Sequence, residues 1–132
     1  MKKETTKQRA ARILKQLNNK YPGKKAWDLD GNGQHFACAV DPADDHPEYD
    51  TCIEVIIKSR PHKHIKMTQY YTITSGTLKL HVGNKTIELK PGDKYTVQPG
   101  IVHWAESDGE CWAEIYSEPG WTKEDHIQVD TT

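Results

Sequence analysis

The stretch Pro61–Gly76, PHKHIKMTQYYTITSG, decides how the rest of the chain is read. His62 and His64 alternate, and in an extended segment a two-residue period turns both imidazoles to one face, close enough to share one ion. Gln69 follows after a gap of four residues, and Gly76 closes the run at a turn. A second cluster downstream, GDKYTVQPGIVHWAES (Gly92–Ser107), carries Gly92, Pro99, Gly100 and His103. Histidines from the two clusters could meet only if the segments between them are strands folded back on one another.

Those segments have that character. From Trp27 onward, short alternating runs are separated by turn chemistry, the pattern of an all-β domain. His35–Val40, Thr51–Ser59, Gln69–Ser75, Thr77–Val82, Lys85–Leu89, Lys94–Val97, Trp104–Glu106 and Cys111–Ser117 read as strands. Turns at Ser75–Gly76, Val82–Asn84, Pro91–Asp93 and Pro99–Gly100 permit hairpins and leave no room for crossover helices, which implies antiparallel pairing. Asp41–Asp50 (DPADDHPEYD), with two prolines and five acidic residues, reads as a solvated loop.

The two clusters resemble the motifs of the cupin superfamily, GxxxxxHxHxxxxExxxxxxG and GxxxxxPxGxxHxxxN. A short spacer of fifteen residues, Thr77–Pro91, separates them here, and the likeness extends over roughly Trp27 to Val129. Ile56 stands at the first glycine position, Gln98 at the proline position and Ser107 at the asparagine position. Gln69 stands where the family usually has a glutamate ligand. The resemblance implies a double-stranded β-helix, a jelly-roll barrel, with a divalent transition metal on His62, His64, His103 and Gln69. Three neutral imidazoles and a neutral amide would leave about two positive charges on the ion and favour an anionic ligand. Zn, Fe, Ni, Mn and Cu all suit such donors.

By strand parity with Gln69, Tyr71 and Ile73 are expected to line the barrel interior, with Tyr95, Trp104, Trp112 and Glu114 as further lining candidates. His35, His46, His81 and His126 are expected outside the site, His81 because it alternates with Leu78, Leu80 and Val82. No catalytic residue can be named. Resemblance to small cupins implies a metal-dependent enzyme acting on a small polar or anionic metabolite, as an oxygenase or a sugar or sugar-phosphate isomerase. The alternative is a non-catalytic metabolite-binding or sensor barrel, which the loss of the anionic ligand would suit.

The N-terminal quarter reads differently. Thr5xxGln8 is a capping-box pattern, and Ala10, Ile13, Leu14 and Leu17 follow at helical spacing, so residues 6–19 read as an amphipathic helix ended by Tyr21–Pro22–Gly23. Residues 1–25 are thus a basic helical segment and 26–132 the barrel domain. Nine basic side chains stand against Glu4 alone in that segment, so the overall net charge of -1 hides an acidic remainder. The narrow apolar stripe suits docking on a sheet or a second subunit better than a membrane surface or nucleic acid. A homodimer is expected, because barrel edges and such a helix both need cover.

With 132 residues the chain is long enough for one domain with a real core, and no apolar run approaches the roughly 20 residues of a membrane span. Met1–Arg12 lacks the apolar stretch of a secretory signal, and Cys38, Cys52 and Cys111 are an odd, scattered set without CxxC spacing, so reduced thiols and a cytoplasmic location are expected. Asp28, Asp30, Asn32 and Gly33 match the first half of a calcium loop, but its twelfth position would be Ala39, which has no carboxylate. An Asx-rich turn is the expected structure there.

Overall fold

The computed structural model describes residues 3–129; the outer ends of both predicted segments, residues 1–2 and 130–132, lie outside it. Helix α1 runs Thr6–Lys20 and begins as its sequence dictates. The Thr5 hydroxyl accepts from the Gln8 amide at 3.0 Å, and the Thr5 amide donates to Gln8 Oε1 at 2.9 Å. Ile13 and Leu17 are fully buried against Phe36, Cys38, Ile53 and Val55, so the apolar stripe docks on the chain's own sheet. The cationic face is anchored there too, with Arg12 bridging Glu4 and Glu110 and Arg9 donating to the Gly33 carbonyl at 3.0 Å.

Ten strands follow: β1 Lys25–Asp28, β2 His35–Asp41, β3 Asp50–Lys58, β4 His62–His64, β5 Thr68–Ser75, β6 Leu78–Val82, β7 Lys85–Leu89, β8 Lys94–Val97, β9 His103–Glu118 and β10 His126–Gln128. All pairings are antiparallel. One face is ordered β1-β2-β3-β9-β5-β8, and the other β7-β6-β9-β4-β10. The architecture is the double-stranded β-helix that the motifs implied, with a helix packed on its outside.

Strand β9 belongs to both faces, which corrects the expectation of separate strands at 104–106 and 111–117. Asp108–Gly109 has turn composition, yet pairing resumes on either side of it. Against β3 the register jumps from Ile56↔Cys111 to Lys58↔Glu106, so residues 107–110 form an irregularity inside one strand. The early half pairs β6 and β4, the later half β3 and β5. Three strands of four residues or fewer, β1, β4 and β10, were not among those expected. Between β1 and β2 the Asx turn forms as read, with Asp28 accepting from the Gly31 and Gly33 amides at 3.0 and 2.7 Å.

The core divides the barrel lengthwise. Ile56, Ile73, Leu78, Leu80, Val82, Leu89, Val97, Ala105, Cys111 and Ala113 fill one half between the two faces. The other half encloses a cavity of about 850 Å³. Strands β2 and β3 are covered on both sides: Phe36, Cys38, Ile53 and Val55 meet the helix, while His35, Ala37, Ala39, Asp50, Cys52 and Glu54 line the cavity.

Candidate metal centre and cavity

The short strand β4 carries His62 and His64 on its inward side, and His62 pairs across the ladder with His103 at the start of β9. That single register point joins the two sequence clusters. The ring nitrogens of His62, His64 and His103 all lie within 4.8 Å of one another, and the three residues are 8%, 3% and 1% exposed. Gln69, on β5, is equally buried and brings its Oε1 to 3.0 Å from His103 Nε2.

The hydrogen bonds of these rings state what they lack. His62 Nδ1 donates to the Arg60 carbonyl at 3.0 Å, and His103 Nδ1 donates to the Ile101 carbonyl at 3.1 Å. Both bonds fix the tautomer with the proton on Nδ1 and leave Nε2 as a lone pair. His103 Nε2 then faces the amide oxygen of Gln69, an acceptor against an acceptor, which a cation between them would resolve. His64 is more telling: both of its ring nitrogens are buried with no hydrogen-bond partner. Its Nδ1 lies 3.9 Å from Asp125 Oδ2, an orientation that leaves Nε2 for the shared space. An unsatisfied buried polar group costs about 1–3 kcal/mol, and His64 leaves two such nitrogens beside the Nε2 atoms of His62 and His103. The donor set therefore fits a divalent transition metal ion, with carbonyl and carboxylate partners behind the rings of the kind that tune such sites.

Electrostatics agree with neutral ligands. Burial drives the His62 imidazole down to about 2, with His103 adding to the effect, and the His64 imidazole down to about 4 for the same two reasons. His103 is likewise lowered, chiefly by burial. Asp125 holds the connection between His64 and Gln69 in shape. Its Oδ1 accepts from the Ile65 and Lys66 amides at 2.9 and 2.8 Å, and its Oδ2 from the Met67 amide at 3.0 Å.

Of the expected lining residues, Tyr71 reaches the cavity, where burial and then Glu54 keep its phenol protonated. The others do not. Ile73 has the right parity but sits at the filled depth of the barrel, and Tyr95 packs against that same core. Trp112 points out of the barrel and packs into the cluster under α1, and Glu114 beside it is exposed. Trp104 stacks on His81 at 3.9 Å between centroids. His81 is thereby outside the site, as is His46, which bonds Asp41 at 2.6 Å.

Two histidines expected outside line the cavity instead. His126 stacks on His62 with centroids 4.6 Å apart and planes 15° apart, and burial lowers its imidazole. The convergent set of ring nitrogens comprises His62, His64 and His103, so His126, stacked on the face of His62, is a neighbour of the cluster and not a member. His35 faces the cavity from β2 and hydrogen-bonds Glu54 of β3 through Nε2. The remaining wall includes Trp27, Trp121, Asp30 and Asp50, with Lys24, Lys25 and Arg60 supplying positive charge.

Comparison with known proteins bears on the fold. The cupin domain model matches residues 54–117. The structure of Pac13 of Streptomyces, described as a nucleoside dehydratase, superposes with a TM-score of 0.70 at 12% identity, over 83% of this chain and 87% of that one. An uncharacterised double-stranded β-helix protein of Klebsiella pneumoniae gives 0.65 at 21% identity, over 80% and 96%. KdgF of Halomonas gives 0.64 at 15%, over 74% and 89%. No curated protein sequence matches the chain. No helix among the described residues is long and apolar enough to cross a membrane.

Proposed function

We propose that this chain, with the cupin domain match over residues 54–117 and the double-stranded β-helix fold, is a metal-dependent enzyme acting on a small anionic metabolite. His62, His64 and His103 would hold a divalent transition metal, with Gln69 as a neutral further ligand. The observation that carries this reading is His64, whose two ring nitrogens are buried without partners beside two imidazoles whose Nδ1 protons are already committed. When bound, such an ion supplies Lewis acidity to substrate oxygens. This chain's own residues do the rest. The cavity, about 850 Å³, suits a metabolite rather than a macromolecule. Lys24, Lys25 and Arg60 stand in its wall together with Asp30, Asp44, Asp50 and Glu54, so the preference for an anion rests on the charge of an ion held by neutral donors, while Trp27 and Trp121 offer flat apolar surface.

The test is metal content per chain, measured by mass spectrometry on protein purified without added metal and after loading with Zn, Fe, Ni, Mn or Cu. Near-stoichiometric metal is expected in the wild type and in His126→Ala, and loss of it in His62→Ala and His103→Ala. A wild type that takes up none of the five ions would overturn the reading. Iron or copper would point to oxygenase chemistry, zinc to isomerase chemistry. A cytoplasmic location and a homodimer belong to the same proposal. The three free cysteines support the first and exposed Ile65, Tyr70 and Trp121 the second, which light scattering of the purified protein tests.

A further inference from the structure

Opposite the histidine cluster, the cavity wall carries a second titratable pair that metal binding does not use. His35, 7% exposed, projects inward from β2 and donates from Nε2 to Glu54 Oε1 on the neighbouring strand β3. The two strands fix the pair by register, with His35 opposite Ile56 and Ala37 opposite Glu54, so both side chains come from rigid elements. Ala37 and Ala39 continue the inward row of β2 with methyl groups, which leaves the imidazole open on the cavity side. His35 Nδ1 makes no hydrogen bond to any of the described residues and is not sealed from the cavity. A carboxylate that holds the proton on Nε2 leaves Nδ1 as a lone pair and stabilises the imidazolium once Nδ1 gains a proton.

We propose that His35, oriented by Glu54, is the acid–base residue of this site and moves a proton to and from carbon on small 2-oxo or 2-hydroxy carboxylates. This rests on the metal-dependent reading above and narrows it to proton transfer without net oxidation. In the step, a C–H bond next to the carbonyl or carboxyl breaks and an N–H bond forms at His35 Nδ1. The electron pair stays on the substrate's carbon–oxygen system, and the charge gained by the imidazole is met by Glu54. Return of the proton to the same or an adjacent atom completes an isomerisation, so no oxidant or reductant is consumed. The substrate class follows from charge: an ion held by neutral donors would favour an anionic ligand, and Lys24, Lys25 and Arg60 can meet a carboxylate in a wall that also carries Asp30, Asp44, Asp50 and Glu54.

Two measurements test this. On metal-free protein, nitrogen-resolved NMR of the His35 ring is expected to find the proton on Nε2 in the wild type, with that preference lost in Glu54→Gln. A proton resident on Nδ1 in the wild type overturns the proposal whatever the metal does. On zinc- or manganese-loaded protein, exchange of carbon-bound hydrogen into D2O is followed by NMR on pyruvate, oxaloacetate, 2-oxoglutarate and malate. The wild type is expected to speed exchange of at least one acid by about 100-fold or more over buffer, and His35→Gln to remove about 100-fold of that with metal content unchanged. Exchange surviving in His35→Gln, loss of metal together with exchange, or no exchange of any of the four acids by fully loaded wild type would each overturn it. Absence of bound metal from the wild type would defeat the metal reading alone, since the tautomer measurement does not involve the ion.

Discussion

Replacing Asp125 by asparagine tests how the centre is held. The carboxylate is buried, and its two oxygens accept three backbone amides: Ile65 and Lys66 on Oδ1 at 2.9 and 2.8 Å, and Met67 on Oδ2 at 3.0 Å. Asparagine keeps the shape but has one acceptor oxygen. With that oxygen toward Ile65 and Lys66, the Met67 amide faces an NH2 group and becomes a buried donor without a partner, at a cost of about 1–3 kcal/mol. The two retained bonds also lose their charge assistance, about 0.5 kcal/mol each. The sum is about 2–4 kcal/mol, which in a domain of this size lowers Tm by about 8–15 °C. The same substitution removes the carboxylate 3.9 Å from His64 Nδ1, so metal affinity should fall by about 10–100-fold. Calorimetry of the metal-free protein and competition with a chelator measure the two effects separately. A Tm within 2 °C of wild type would refute the hydrogen-bond argument, and unchanged affinity would remove Asp125 from behind the ligand.

Gln69→Glu should retain metal at least tenfold more tightly, about 1.4 kcal/mol, because a carboxylate replaces a neutral donor; an unchanged chelator competition would mean that position 69 does not touch the ion. Gly76→Ala should destabilise by more than about 3 kcal/mol in urea unfolding: Gly76 has φ +79°, costing about 1–2 kcal/mol for any other residue, and a Cβ there runs into the Glu110 carbonyl. Acid should weaken the metal-free fold. The unfolded imidazoles titrate near 6.5, whereas folded His64 titrates at about 4 and His62 at about 2, so as pH falls below 6.5 the unfolded chain takes up protons that the folded one refuses. The contribution of these two histidines should be flat above about pH 7 and fall by up to about 1.4 kcal/mol per pH unit for each down to about pH 4; equal unfolding free energies at pH 7.5 and 5 would contradict the neutral, buried cluster.

Much of this arrangement was legible in the sequence because its signals are local. The capping pair Thr5 and Gln8, the stripe Ala10, Ile13, Leu14 and Leu17, and the turn at Val82–Gly83–Asn84 each act within a few residues, and the corresponding elements formed within one residue of expectation. His35 was not legible for the opposite reason. Both sides of β2 and β3 are covered, one by the helix and one by the cavity wall, so alternation along His35–Asp41 does not distinguish inside from outside. His126 lies in a three-residue strand, too short to show a period.

The errors among the lining residues share one cause, and it suggests a rule. Parity along a strand gives direction, but depth in the barrel is set by register with other strands and is invisible within any single run. Once register is known, each inward row changes character along its length: Asp50, Cys52 and Glu54 then Ile56 on β3, Gln69 and Tyr71 then Ile73 on β5, and Ser117 then Ile115, Ala113 and Cys111 on β9. Gln69 pairs with Ser117 and Ile73 with Ala113, while on β3 the polar row runs deeper, with Glu54 opposite Ala113, so the boundary between polar wall and apolar filling crosses the ladders obliquely. A polar side chain on the apolar side of that boundary would pay desolvation with no partner, and a large apolar one on the other side would fill the space a ligand needs. The boundary, rather than the histidine motif alone, is what fixes where substrate chemistry can take place, and it puts His35 and Glu54 on the same side as the three imidazoles.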